Sequence, residues 1–199
     1  MNLNPIEVLL IEDNPGDAYM IGEMLAGVKD FPFNLEHADR LSKGLECLSK
    51  EERDIVILDL LLPDSQGFDT FIKAHNRAPK VPIIVLTGLD NEELGVKMIG
   101  NGAQDYLVKG QIDSKLLIRS IRYAIERKQA EEALCRSEER YRNFVETARD
   151  IIFTISVNRI ITSLNTAFEI VCGCSRVGWI SKDFTPLIHP DDLPLATEM

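Results

Sequence analysis

The sequence predicts an α/β protein that opens with a doubly wound, five-stranded parallel sheet. Two observations lead there. Short runs of unbroken apolar residues alternate with amphipathic stretches of helical length. Acidic and hydroxyl residues then sit directly after several of those apolar runs, where a parallel sheet gathers its ligand-binding groups.

Glu7 to Ile11 (EVLLI), Ile55 to Leu58 (IVIL) and Pro82 to Leu86 (PIIVL) read as strands. Their continuous apolar character suits a sheet covered by helices on both faces. Phe33 to Ala38 and Asp105 to Val108 supply the other two strands, with weaker patterns. Helices are expected over Asp17 to Val28, Leu41 to Lys50, Phe68 to Arg77, Asn91 to Ile99, and from Ser114 onward.

The helix from Ser114 has no evident stop. No Gly or Pro occurs from Lys115 to Thr147, although the apolar stripe of Leu117, Ile121, Ala124 and Ile125 gives way to a charged run. A long helix of this kind bridges domains or pairs with a second copy; a solvated helix standing alone is the other reading. After Arg149, Ile151 to Ser156 and Ile160 to Leu164 read as a hairpin turning at Val157-Asn158-Arg159, followed by a short helix over Thr166 to Val171. This last part holds about 60 residues, a marginal size for an independent domain.

Composition narrows the function. Of 199 residues, 45 % are hydrophobic and 27 % charged, and the net charge is -10. So acidic a chain disfavours nucleic acid as a partner, because phosphate contacts need clustered Lys and Arg. Anionic membrane surfaces are disfavoured for the same reason. No apolar run reaches the roughly 18 residues that span a bilayer, and the N-terminus lacks the basic start of a signal peptide. A cytoplasmic location follows as the expectation. Cys47, Cys135, Cys172 and Cys174 are scattered, which suits reduced thiols, and Cys172-Gly173-Cys174 lacks the second ligand pair a zinc site would need.

The strand ends carry the chemistry. The first strand ends in Glu12-Asp13, the third in Asp59 and the fourth in Thr87-Gly88; Lys109 follows the fifth. In a parallel sheet these converge on one edge. Three adjacent carboxylates repel one another unless a cation lies among them. An all-oxygen ligand set suits a hard divalent ion such as Mg²⁺.

With those residues in place, VLLIEDNPGDAYMIGEML and IVILDLLLPDSQGFD resemble the opening and phosphoacceptor segments of response-regulator receiver domains. Pro63 and Gly67 stand at the family's spacing from Asp59, and PIIVLTG and GAQDYLVK resemble its last two strands. The resemblance covers residues from about 5 to 128 and implies the following roles. Asp59 accepts the phosphoryl group from a histidine kinase or phosphotransfer protein. Asp13 and Asp59 hold Mg²⁺, with Glu12 acting through water and the Leu61 carbonyl as a further ligand. Lys109 and Thr87 bind the phosphoryl oxygens, and Thr87 and Tyr106 form the switch pair. Leu61 and Leu89 flank the path of the hydrolytic water, so their apolar side chains imply slow dephosphorylation. One departure is Gly110, where the family usually has a Pro after its Lys, often with a cis bond.

SEERYRNFVETARDIIFTIS, ITSLNTAFEIV and LIHPDDL resemble the start of a PAS sensory domain. The remaining strands of that fold would follow Met199, so a fragment of a receiver–PAS sensor or hybrid histidine kinase is expected. Arg159 and Ser181 replace usual glycines there, and Cys174 replaces an aromatic, which puts ligand binding in doubt. The expected division is a receiver over 1–128, a helical linker over 129–140 and an incomplete PAS domain over 141–199, with a homodimer formed through the linker. Two other classes compete with this reading. A pseudo-receiver that only docks partners would not keep Glu12, Asp13, Asp59, Thr87 and Lys109 together. A phosphatase of the haloacid dehalogenase type needs a second Asp where Leu61 stands. None of His37, His75 and His189 is followed by the Glu of a kinase phosphohistidine motif, so no enzyme activity is expected within these residues.

Overall fold

A computed structural model describes residues 5–27, 32–88 and 92–192. The described residues fall into two compact units, 1–132 and 133–199. The first begins with β1 (Ile6–Ile11), α1 (Pro15–Ala26), β2 (Phe33–Ala38), α2 (Leu41–Lys50) and β3 (Ile55–Asp59). A two-residue ribbon, β4 (Leu61–Leu62) with β5 (Ser65–Gln66), precedes α3 (Phe68–Arg77). Then come β6 (Ile83–Thr87), α4 (Glu92–Ile99), β7 (Asp105–Val108) and α5 (Ser114–Thr147), the last of which runs on into the second unit.

The sheet order is β2-β1-β3-β6-β7, and every pairing within it is parallel. Successive side chains of a strand point to opposite faces, so each central strand feeds two cores. Leu9, Ile11, Val56, Leu58 and Val85 join Phe71, Ala74 and Met98 on one face. Val8, Leu10, Ile57, Ile84 and Leu86 join Ile21, Leu25, Leu117 and Ile121 on the other. Of the three strands expected from unbroken apolar runs, β3 and β6 are buried along their whole length and β1 from Val8 to Ile11.

The boundaries moved by one or two residues for local reasons. Helix α1 starts at Pro15, because the Asn14 side chain caps it by accepting from the Gly16 and Asp17 amides and because Pro is well suited to the first turn. Val28 and Asn91, the expected limits of two helices, lie outside the described residues, as does Leu89. Helix α5 continues to Thr147, although the next Gly or Pro comes only at Gly173.

The second unit contains the end of α5, the hairpin β8 (Phe153–Ile155) with β9 (Ile161–Leu164), and α6 (Ala167–Cys172). Its core is small: Ile161, Leu164, Phe168 and Phe184, with Ile151, Trp179 and Ile188 packed against them. The buried Asn165 ties this unit together. Its Oδ1 accepts from the Ile152 amide, and its Nδ2 donates to the Val145 and Asp150 carbonyls. Among the described residues, only Arg159 (φ 63°) and Ser181 (φ 69°) are non-glycines at positive φ. These are the two positions where a PAS sequence usually has Gly.

Candidate phosphoryl-acceptor site

The carboxyl edge of the parallel sheet brings the expected residues together. Glu12 and Asp13 follow β1, Asp59 ends β3, Thr87 ends β6 and Lys109 follows β7. Carboxylate oxygens of Glu12, Asp13 and Asp59 lie within 4.8 Å of one another. Glu12 is fully buried and Asp59 nearly so, while Asp13 is exposed. Such a cluster is unfavourable without positive charge, and Lys109 reaches into it. Its Nζ lies 2.7 Å from Glu12 Oε2, 2.8 Å from Asp59 Oδ2 and 3.1 Å from Asp17 Oδ2.

The electrostatics follow from burial and charge. Burial pushes the Glu12 carboxyl above the ordinary glutamate range, and the Asp59 charge adds to this, against the opposing pull of Lys109 and the Asn14 amide. Burial alone would lower the Lys109 ammonium, but its hydrogen bonds to Asp59 and Glu12 outweigh that and move it upward. Lys109 therefore stays charged throughout the physiological range.

The remaining expected residues sit around this pair. The Leu61 amide donates to Asp59 Oδ1 at 3.2 Å, while the Leu61 side chain is exposed. Thr87 is buried, and its hydroxyl has no hydrogen-bond partner. Tyr106 is half-buried against the α3 and α4 side of the sheet. Gly95 makes room for it, since a Cβ there would come within 2.7 Å of the ring. No cis peptide occurs among the described residues, and Gly110 adopts φ +85°, which proline cannot reach.

Residues 8–147 match the response regulator receiver domain family, and residues 139–197 match the PAS fold. The chain belongs to the response regulator receiver family. It is 35 % identical over 115 residues to the probable transcriptional regulatory protein SilR of Salmonella typhimurium, covering 57 % of this chain and 49 % of that protein. It is 34 % identical over 114 residues to the cell cycle response regulator CtrA of Brucella ovis, covering 57 % and 48 %. The chain thus spans about half the length of the curated relatives it matches. A solved receiver domain protein from Clostridium thermocellum aligns with a TM-score of 0.56 at 25 % identity, covering 63 % of this chain and 98 % of that one. The signal receiver domain of an HD domain-containing protein from Pseudomonas fluorescens aligns at 0.56 and 26 %, covering 64 % and 99 %. The chain therefore carries a receiver domain of two-component signalling, followed by PAS-like sequence. No helix among the described residues is long and apolar enough to cross a membrane.

One member of this receiver site was missed in the sequence. Asp17 lies on the first turn of α1, at the third helical position after its cap. The Asn14-Pro15 start signal would have placed it there, four residues beyond Asp13.

Proposed function

We propose that the receiver is a phosphorylation switch whose acceptor is Asp59. The observation that carries this reading is the Glu12–Asp13–Asp59 cluster facing Lys109 beside the unpartnered Thr87 hydroxyl. A carboxylate oxygen of Asp59 attacks phosphorus, the P–N bond of a phosphohistidine breaks, and the electron pair leaves with the imidazole of the kinase or phosphotransfer protein. Lys109 donates to one phosphoryl oxygen and Thr87 to another. Catalysis of such transfers rests on positioning and charge neutralisation. A buried hydroxyl lacking a partner costs free energy, and an arriving phosphoryl oxygen would satisfy it.

The acidic set fits Mg²⁺, with Asp13, Asp59 and the Leu61 carbonyl as ligands and Glu12 acting through water. When bound, the ion neutralises charge between the carboxylates and the phosphoryl group. Tyr106 follows Thr87 as the second half of the switch, in the slot that Gly95 leaves open.

We divide the chain into a receiver over 1–128, a linker over 129–140 and PAS-like sequence over 141–199. Leu134 in the linker and Tyr141 and Phe144 just beyond it are exposed on α5 at spacings of seven and three, which supports pairing with a second copy along this helix.

The test is incubation with acetyl phosphate and Mg²⁺, followed by intact mass. One phosphoryl group should add to the wild type and none to Asp59→Asn. A wild type that stays unlabelled while a control receiver is labelled would favour a docking module that is not phosphorylated.

A further inference from the structure

Lys109 has an ammonium with three N–H donors, and three carboxylates surround it. Asp59 and Glu12 belong to the acceptor site described above. Asp17 joins them from α1, 3.1 Å from Lys109, and has none of the roles that the resemblance assigns. Its placement is built rather than incidental. Asn14 caps α1 and Pro15 occupies its first position, so the helix start is held in register. An aspartate in the first turn is also favoured by the helix dipole.

The loop that carries Lys109 explains why such a contact matters in this chain. The Lys109 amide donates to the Thr87 carbonyl at 2.7 Å, which fixes the backbone on one side. On the other side stands Gly110 at φ +85°, a residue with wide conformational freedom where a proline would be rigid. The side chain of Lys109 is long, and ordering it costs entropy. Two contacts that persist through the reaction would hold it better than one.

We propose that Asp17 is a positioning residue for Lys109, holding its ammonium together with Glu12 where the phosphoryl oxygens arrive. When Asp59 becomes the acyl phosphate, Lys109 turns one donor from Asp59 to a phosphoryl oxygen. The other two donors stay on Glu12 and Asp17, so a single hydrogen bond is redirected and the side chain does not search. This rests on Asp59 being the acceptor, and it adds a residue that works through Lys109 without touching the phosphoryl group.

The test uses the full chain and two readouts. The first is the rate of labelling by acetyl phosphate at saturating Mg²⁺. Asp17→Asn should slow it about three- to tenfold, the net worth of one ordinary hydrogen bond. Asp17→Glu should restore most of the rate. In a Lys109→Ala background, already slow, Asp17→Asn should change little, as expected when one residue acts through the other. An unchanged or faster rate in Asp17→Asn overturns the proposal, as does an equal slowing in both backgrounds. The second readout needs no labelling: the Lys109 ζ-ammonium resonance in metal-free protein. It should be protected from exchange in the wild type and in Asp17→Glu, and lost in Asp17→Asn. Retention in Asp17→Asn overturns the proposal. If the wild type takes no phosphoryl group, the acceptor reading fails, and the ammonium resonance alone decides whether Asp17 holds Lys109.

Discussion

In the first unit three of the buried polar residues, Glu12, Asp59 and Thr87, gather at one edge of the sheet, and the Thr87 hydroxyl has no partner. Among the described residues of the second unit the buried polar residue is Asn165, and both of its polar side-chain atoms are engaged. The contrast separates two uses of buried polarity. A satisfied group specifies architecture: Asn165 accepts from one chain segment and donates to two others, fixing where α5 ends and the hairpin begins. A group left short of partners lowers stability and is tolerated only where surrounding packing holds it. The first unit can carry that burden because its two cores are extensive, whereas the second has only a handful of buried apolar side chains.

The largest effect should come from the large core. Phe71 is fully buried among Leu9, Leu58, Val85 and Met98. Phe71→Ala should destabilise the first unit by about 3–5 kcal/mol. Urea unfolding followed through receiver amide signals would measure it. A loss below about 1 kcal/mol would mean that this core is loosely packed and could not support an unsatisfied site.

Next in size is the direct comparison of Asn165 with Thr87. Asn165→Ala leaves the Ile152 amide and the Val145 and Asp150 carbonyls without their partner, which should cost about 1–3 kcal/mol. Faster amide exchange at Ile152 would report it. Thr87→Val removes a hydroxyl that had no partner and keeps the shape. It should leave stability unchanged or slightly raised while slowing phosphoryl acceptance. If Thr87→Val is as damaging to stability as Asn165→Ala, the distinction between the two groups collapses.

How far the sequence foretold these features depends on the range of the interaction. The parallel strands were legible because burial on both faces writes itself as an unbroken apolar run. The site residues were legible because each directly follows a strand, and topology alone brings strand ends together. Asp17 escaped notice because it belongs to a helix, and helices reach that edge only through their first turn. The Glu146–Arg176 and Asn165–Val145 pairs escaped because they join residues 20 to 30 positions apart with no periodic signal between them. The unusual backbone of Arg159 and Ser181 was visible in advance, as a non-glycine in a place that wants glycine.

That backbone gives a smaller effect, of opposite sign. Left-handed conformation costs a non-glycine residue about 1–2 kcal/mol, and the entropy of an added glycine takes back about half of the gain. Arg159→Gly and Ser181→Gly should therefore each stabilise the second unit by about 0.5 kcal/mol. The backbone hydrogen bonds at both positions, Phe184 to Arg159 and Ser181 to Ile161, need no side chain and should survive. A higher thermal midpoint for the double variant would show the relief; a lower one would mean that the side chains contribute more than their strain.

The smallest effect is the pH response of the second unit. Arg176 donates to both Glu146 oxygens at 2.8 Å, and the Thr166 amide donates to one of them at 3.1 Å. The Arg176 hydrogen bond, with help from Thr166, holds the Glu146 carboxyl below its ordinary range. A carboxyl depressed in the folded state stabilises that state above its unfolded value, and the contribution fades as pH falls through the folded value. The latch should thus be intact at neutral pH and weaken below about pH 4.3, the ordinary value for glutamate. The pair is partly exposed, so the effect on stability is slight and salt-sensitive. The Thr166 amide shift should titrate with a midpoint below that ordinary value in the wild type. In Arg176→Gln the midpoint should rise toward it, because the main cause of the depression is gone. A wild-type midpoint at or above the ordinary value would show that Arg176 does not hold Glu146 in solution, and that Asn165 and Thr166 fix the end of α5 without it.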